Sequence, residues 1–192
     1  DASIVPIFKK GSRKDCGNYR GISLLSIAGK ILSRVLLNRI KKHIAPIVLP
    51  ESQCGFRSGR GTMDMIFCLR QTQEKFIEQN MPLYAVFIDF TKAFDKVDHK
   101  KLVRKLRNIG VSQQIVTWGE GFLHNRTQAV VADGHSSSPC PVISGVPQGS
   151  VVGPILFLIY INDLPNAVKS NVRLFAADTV IYNTVNNKQQ LQ

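Results

Sequence analysis

An apolar stretch from Leu83 to Ile88 runs straight into a carboxylate, Asp89. Without polar alternation, such a stretch reads as a strand covered on both faces, so the chain must build a sheet with an acid at one strand's mouth. The flanking segments alternate in kind. Ile4 to Phe8 reads as a strand and Lys9 to Lys14 as a basic turn. Ile27, Ile31, Val35, Ile40 and Ile44 recur near helical spacing with Leu32 and Leu36 beside them, and this stripe is expected to face a core. Lys30, Arg34, Arg39, Lys41 and Lys42 take the other sides of that helix, and Pro46 and Pro50 end it.

Gly55 to Gly61 is a Gly/Arg loop, with Thr62 expected to cap a helix reaching about Gln79. Beyond Asp89, Lys100 to Asn108 predicts an amphipathic helix stopped by Gly110, and Ser112 caps another reaching about Leu123. Strands are expected over Arg126–Ala132 and Pro141–Val146, around an Asp133-Gly134 turn. Pro147-Gln148-Gly149 breaks the chain before a hydrophobic helix. Val172–Phe175 and Thr179–Tyr182 flank Ala176-Ala177-Asp178, a hairpin signal. Interleaved strands and helices without a Rossmann glycine pattern give an α+β fold.

Composition narrows the class. At 192 residues and 44% hydrophobic, the chain can form a real core, which excludes disorder and fibre. Four cysteines, Cys16, Cys54, Cys68 and Cys140, are too sparse for a disulfide scaffold and lack zinc spacing, which suits a reducing compartment. The longest apolar run, Val151 to Ile161, is interrupted by Gly153 and Pro154 and is too short to span a bilayer, so no membrane partner is expected. No signal peptide opens the chain, and a start at Asp1 rather than Met is expected of a piece of a longer protein. The net charge is +12, and residues 1–60 alone carry 12 bases against 3 acids. A concentrated basic lobe points to a phosphate-bearing partner, nucleic acid or nucleotide.

Three segments are hard to explain as packing alone: Phe87-Ile-Asp-Phe-Thr-Lys-Ala-Phe-Asp95, Gly145-Val-Pro-Gln-Gly-Ser-Val-Val-Gly-Pro154 and Phe175-Ala-Ala-Asp178. With Ile4-Val-Pro-Ile-Phe-Lys-Lys-Gly11, Asn18-Tyr-Arg-Gly-Ile-Ser-Leu-Leu25 and Gln53-Cys-Gly-Phe-Arg-Ser-Gly-Arg-Gly-Thr62, they resemble, in order, the blocks of the reverse transcriptase domain of non-LTR retrotransposons. Asn125-Arg-Thr-Gln128 and Tyr160-Ile-Asn-Asp-Leu164 fit that branch better than retroviral enzymes. The resemblance covers nearly the whole chain. It implies an α+β right-hand polymerase with basic fingers interwoven with a palm, mainly fingers over 1–82 and mainly palm over 83–192. It also implies that a thumb and an endonuclease region belong to the longer polyprotein. The partners implied are an RNA template, a DNA primer and deoxynucleoside triphosphates; the compartment is nuclear or cytoplasmic.

Phosphoryl transfer of that kind uses two Mg²⁺ ions, with Mn²⁺ as a substitute, and hard cations take oxygen ligands. By resemblance Asp89 is a ligand of both ions, and the Phe90 carbonyl helps hold one. The family has two aspartates after the hairpin Ala; here the first is Ala177 and only Asp178 remains. Ala177 therefore removes a principal ligand, and an impaired enzyme is expected. The alternative is an inactive, polymerase-derived nucleic-acid-binding module; a viral RNA-dependent RNA polymerase shares the metal logic but fits Phe94 and the fingers blocks poorly. Phe94 is implied to exclude a ribose 2′-hydroxyl and Gln148 to lie by the incoming sugar. Lys9, Lys10 and Arg20 are implied to grip the triphosphate. Arg57, Gly59 and Arg60 form a template contact, since glycines let backbone approach a sugar-phosphate chain. Asp95 and Asp98 read as helix-start caps, and Trp118 as a core residue. His43, His99, His124 and His135 have no ligand spacing and read as structural or solvent-facing.

Overall fold

The computed structural model describes residues 2–44 and 49–184. They fall into two units whose segments alternate along the chain: residues up to 47 with 92–160, and residues 48–91 with those from 161 on.

The first unit opens with an antiparallel pair, β1 (Ala2–Phe8) and β2 (Tyr19–Leu24), registered from Ser3 opposite Leu24 to Phe8 opposite Tyr19. Helix α1 (Ile27–Ile44) starts where Ser26 Oγ accepts from the Gly29 N–H at 3.1 Å. Its buried residues are Ser33, Leu36, Leu37 and Ile40, whereas Ile27, Ile31, Leu32 and Val35 are exposed. The expected stripe thus faces solvent for its first two turns. Apolar residues lie on both sides of this helix, and the shorter row of Leu36, Leu37 and Ile40 takes the core. Pro46 lies outside the described residues, as does the side chain of His43.

The second unit contributes α2 (Thr62–Glu78) and β3 (Tyr84–Ile88). Thr62 is the first helical residue rather than the cap: Gly61 precedes it, and the Asp64 carboxylate accepts from the Gly61 N–H at 2.6 Å. Strand β3 is also not buried. Tyr84, Val86 and Phe87 are exposed; β3 is one of the two edge strands of its three-stranded sheet, and its side-chain faces are left largely uncovered by the described residues.

Returning to the first unit, a short 3-10 turn (Ala93–Lys96) leads to α3 (His99–Asn108), capped by Asp98, whose Oδ1 accepts from the Lys101 N–H at 2.8 Å. Helix α4 (Gln113–Leu123) packs on α3, with Gly119 against Leu106. Ser112 takes the cap position of α4 without a side-chain bond. Strand β4 (Thr127–Ala132) joins β1 in parallel and turns at Asp133-Gly134, both at positive φ, into β5 (His135–Ser136). The expected strand over Pro141–Val146 shrinks to β6 (Cys140–Pro141). Gly145 at φ +88 and Pro147 divert the rest of that segment. Helix α5 (Gly153–Ile161) is capped by Ser150 Oγ at 2.9 Å from the Gly153 N–H and is buried almost throughout. The core of this unit is Val97, Leu102, Leu106, Val116, Leu123, Val152 and the apolar run of α5.

The second unit closes with α6 (Leu164–Ala167), β7 (Asn171–Phe175) and β8 (Asp178–Asn183). The order β3-β8-β7 is antiparallel throughout, with Met65 and Leu69 of α2 packed on Val180 and Tyr182. Asp178 is the first residue of β8, so the connection is a two-residue turn, Ala176-Ala177. All four cysteines are free, and among the described residues no helix is long and apolar enough to cross a membrane.

Candidate catalytic hairpin and substrate loop

In the second unit, β3 and β8 pair from Tyr84 opposite Asn183 to Ile88 opposite Thr179. One further step of that register sets Asp89 opposite Asp178. Both carboxylates are exposed and line one cavity of about 410 Å³, walled by Met65, Ile66, Leu69, Phe87 and Phe175. Directly opposed like charges destabilise a strand pair unless a cation lies between them. Their oxygens, with the Phe90 carbonyl, are hard donors that suit Mg²⁺. The third carboxylate that the resemblance implies is replaced by the methyl of Ala177, and among the described residues no group of three acidic, His or Cys side chains could hold a metal.

The turn between β7 and β8 is tightly held. Ala176 has φ +54, a left-handed conformation unusual for a residue with a Cβ. The buried side chain of Gln53 accepts from the Ala176 N–H at 2.9 Å and from the Gly55 N–H at 2.8 Å. Backbone bonds on both sides, Leu174 N–H to the Ser52 carbonyl and Cys54 N–H to the Leu174 carbonyl, each at 2.8 Å, lay residues 52–54 along β7.

The Gly/Arg loop follows. Arg57 is mostly buried and donates to the carbonyls of Pro50 (2.8 Å) and Gln53 (3.2 Å) while pairing with Glu51. Arg60, more exposed, also pairs with Glu51. Gly59 is open, with φ +72 and nothing within 4 Å of a Cβ. Arg57 therefore braces its own loop, whereas Arg60 and Gly59 present its outer face.

In the first unit, Lys9, Lys10 and Arg20 are exposed at the loop end of the β1–β2 pair. The loop between them is fixed by Lys9 N–H to the Asn18 carbonyl (2.9 Å), Tyr19 Oη to the Arg13 carbonyl (2.9 Å) and Arg13 over the Phe8 ring. Phe94 is half-buried and stacks on Phe157, ring centroids 4.3 Å apart. Gln148 Nε2 donates to Asp95 Oδ1 at 2.8 Å. Asp95 thus orients Gln148 and is not the helix cap expected from sequence.

The loop carrying Gln148 is laced to the 94–97 segment. Gly145 N–H donates to the Val97 carbonyl, Val146 N–H to the Phe94 carbonyl and Ser144 Oγ to the Asp95 carbonyl. Buried His99 bonds the Gly145 carbonyl through Nε2 at 2.8 Å. Burial holds the His99 pKa below its ordinary value against the pull of the Gly145 bond, and His124 and Arg126 push it the same way. Asp95, Ser144, Gly145, Val146 and Gln148 line a cavity of about 300 Å³ with Arg126, whose Nε is buried with no hydrogen-bond partner among the described residues and whose pKa is lowered by burial. The Gln53, His99 and Asp95 contacts are not legible in the sequence; the glycines at 55 and 145 are the one visible signal that something approaches closely there. Trp118 is half-buried and stacks on Phe122.

Comparison with known proteins covers the same ground. Residues 7–192 match the family model described as reverse transcriptase (RNA-dependent DNA polymerase). The RNA-directed DNA polymerase from mobile element jockey of Drosophila melanogaster is 36% identical over 167 residues, covering 85% of this chain and 18% of that one. The probable RNA-directed DNA polymerase from transposon X-element of the same species is 31% identical over 192 residues, covering 93% and 20%. The chain thus spans about a fifth of the length of these relatives. Among solved structures, apo telomerase from Candida tropicalis, truncated from its C-terminal domain, superposes with a TM-score of 0.63 at 15% identity, over 99% of this chain and 44% of that one. Telomerase from Candida albicans in complex with a fragment of telomeric RNA gives 0.57 at 11% identity, over 95% and 38%. At such identities the likeness is one of fold, and it agrees with the α+β fingers-and-palm architecture.

Proposed function

Because the chain belongs to the reverse transcriptase (RNA-dependent DNA polymerase) family, in its non-LTR retrotransposon branch, we propose that it is the nucleotidyl-transfer domain of such an element, impaired by Ala177. The observation that carries this is the pair of strand ends that brings Asp89 and Asp178 to one cavity beside the Ala176-Ala177 turn. The three-stranded β3-β8-β7 sheet is read as palm and the β1–β2 pair as fingers.

In the reaction proposed, a primer 3′-oxygen forms a bond to the α-phosphorus of a deoxynucleotide, the bond to the β-phosphate oxygen breaks, pyrophosphate leaves and the hydroxyl proton passes to solvent. Divalent ions, when bound, stabilise the attacking and leaving oxygens. Asp89, Asp178 and the Phe90 carbonyl would hold them. Lys9, Lys10 and Arg20 neutralise the triphosphate, with Arg20 able to grip two oxygens at once. Phe94, braced by Phe157, orients the sugar and excludes a 2′-hydroxyl. Asp95 fixes the Gln148 amide, which lies by the incoming sugar in this reading, while Arg60 and Gly59 touch the template. The missing carboxylate favours a second reading, a nucleic-acid-binding module without turnover.

The test is RNA-templated deoxynucleotide incorporation by an Ala177→Asp variant, alone and combined with Asp89→Asn. Incorporation by the first that is lost in the second supports the polymerase reading. Tight RNA–DNA hybrid binding with no incorporation in either supports the binding module.

A further inference from the structure

The contact between Gln53 and the hairpin turn joins residues 123 positions apart in sequence, yet the carboxamide is nearly fully buried (1% exposed). We propose that Gln53 is the positioning residue of this turn: it holds the Ala176 peptide so that residues 177 and 178 leave toward Asp89. The proposal rests on the reading that the hairpin carries the metal-binding carboxylate.

Three observations carry it. First, Ala176 at φ +54 followed by Ala177, whose φ is not positive, is a turn that ordinarily takes Gly at its first central position. An alanine there is strained, and such a conformation persists only where its surroundings over-determine it. Second, Gln53 supplies that determination from both sides of the residue. Oε1 accepts from the Ala176 N–H at 2.9 Å, and Nε2 faces the Ala176 carbonyl at 3.4 Å. The same Oε1 accepts from the Gly55 N–H, so the amide cannot swing away without orphaning two buried donors. Third, the approach leaves no room for slack. A Cβ built on Gly55 would lie 2.2 Å from the Ala176 nitrogen, and the 52–54 backbone is bonded to Leu174 on both sides.

A turn released from this grip can relax to another two-residue conformation. The β7–β8 register would survive, but the side chains at 177 and 178 would rotate. Gln53 therefore acts through the hairpin and touches no substrate.

The test uses the full chain with Ala177→Asp, and adds Gln53→Met, which keeps the volume and removes all three polar contacts. Val172→Ala on β7, which thins the core of the same strand, serves as a destabilised control. Three quantities are read: amide hydrogen exchange at Ala176, binding of Mn²⁺ alone by electron paramagnetic resonance, and the metal concentration for half-maximal nucleotide incorporation. Expected for Gln53→Met are exchange at Ala176 faster by at least about 10-fold and Mn²⁺ binding weaker by about 10–100-fold, the range for lost support of a metal ligand. The half-maximal metal concentration should rise in step. Val172→Ala should lower thermal stability while leaving both metal readouts unchanged when they are taken well below its melting temperature, where nearly all of the protein is folded. If Gln53→Met does not fold, Gln53→Asn, one methylene too short to reach Ala176, is expected to behave as described for it.

Unchanged Mn²⁺ affinity in the Gln53 variants, or an equal loss in Val172→Ala, overturns the proposal. An Asp89→Asn variant separates the two readings. If Asp89→Asn abolishes Mn²⁺ binding while the Gln53 variants do not weaken it, only the positioning role fails. If Asp89→Asn leaves binding intact, the site reading itself fails and the positioning role falls with it.

Discussion

Substitution of Gly145 by Ala attacks the loop that carries Gln148 at its tightest point. Gly145 has φ +88, and a Cβ there would stand 2.7 Å from the Asp95 carbonyl oxygen, 2.8 Å from its Cα and 2.9 Å from its carbonyl carbon. The left-handed backbone alone costs an L-residue about 1–2 kcal/mol. Overpacking against main-chain atoms, which cannot rotate away, adds about 1–3 kcal/mol. The combined loss of about 2–5 kcal/mol is a large part of the roughly 5–15 kcal/mol that holds a domain folded. Gly134→Ala is the control, because Gly134 shares the positive φ (+77) but has nothing within 4 Å of its Cβ position. It should show only the backbone cost of about 1–2 kcal/mol. Urea unfolding followed by the fluorescence of Trp118, the single tryptophan, reads both variants in the unit that contains them. A midpoint for Gly145→Ala no lower than that of Gly134→Ala would refute the close packing of this loop on Asp95.

Other outcomes are expected. His99 is held below its ordinary pKa of 6.5 by burial, so the unfolded chain binds more protons just below pH 6.5 and stability should rise with pH through that window; His99→Gln should remove this slope in urea titrations at pH 5 to 7.5. Affinity for an RNA–DNA hybrid should fall steeply with salt, and Arg20→Ala and Arg60→Ala should each flatten the log–log slope by roughly 0.7–0.9, measured by fluorescence anisotropy. Arg57→Ala should instead lower thermal stability, because its guanidinium serves the Pro50 and Gln53 carbonyls; an unaltered melting temperature contradicts that bracing role. In an Ala177→Asp background, Phe94→Ala should admit ribonucleotides, and continued strict rejection of them would remove Phe94 as the sugar gate.

Much of this fold is legible in the sequence where local chemistry decides. Asp98 before α3, the Asp133-Gly134 turn and the Ser150-capped apolar helix follow from side chains and glycines acting within a few residues. Periodicity misleads where apolar residues exceed what one face can bury. In α1 the row of Ile27, Ile31 and Val35 is exposed while Leu36, Leu37 and Ile40 are covered. An apolar run likewise does not show that a strand's faces are covered, and Tyr84, Val86 and Phe87 of β3 are exposed. The long-range contacts are the least visible. Asp95 reads locally as a cap, but its carboxylate holds Gln148, 53 residues on. Gln53 reads as part of a loop motif, and only the folded chain brings its amide to Ala176. The positions of Asp89 and Asp178 were readable because each is the terminal residue of a strand or turn signal, and pairing of β3 with β8 joins them.

The most direct measurement is the rate of single-nucleotide primer extension on an RNA template with Mg²⁺, compared between the chain as it stands and its Ala177→Asp variant. The Ala177 chain should give little or no product above background. Restoring the carboxylate, without altering the register of Phe175 with Asp178, should raise the rate by at least about 100-fold, more than the loss of a ligand's supporting contact alone produces. Equal rates for the two proteins would mean that Asp178 already serves as the second ligand and that Ala177 does not impair the site.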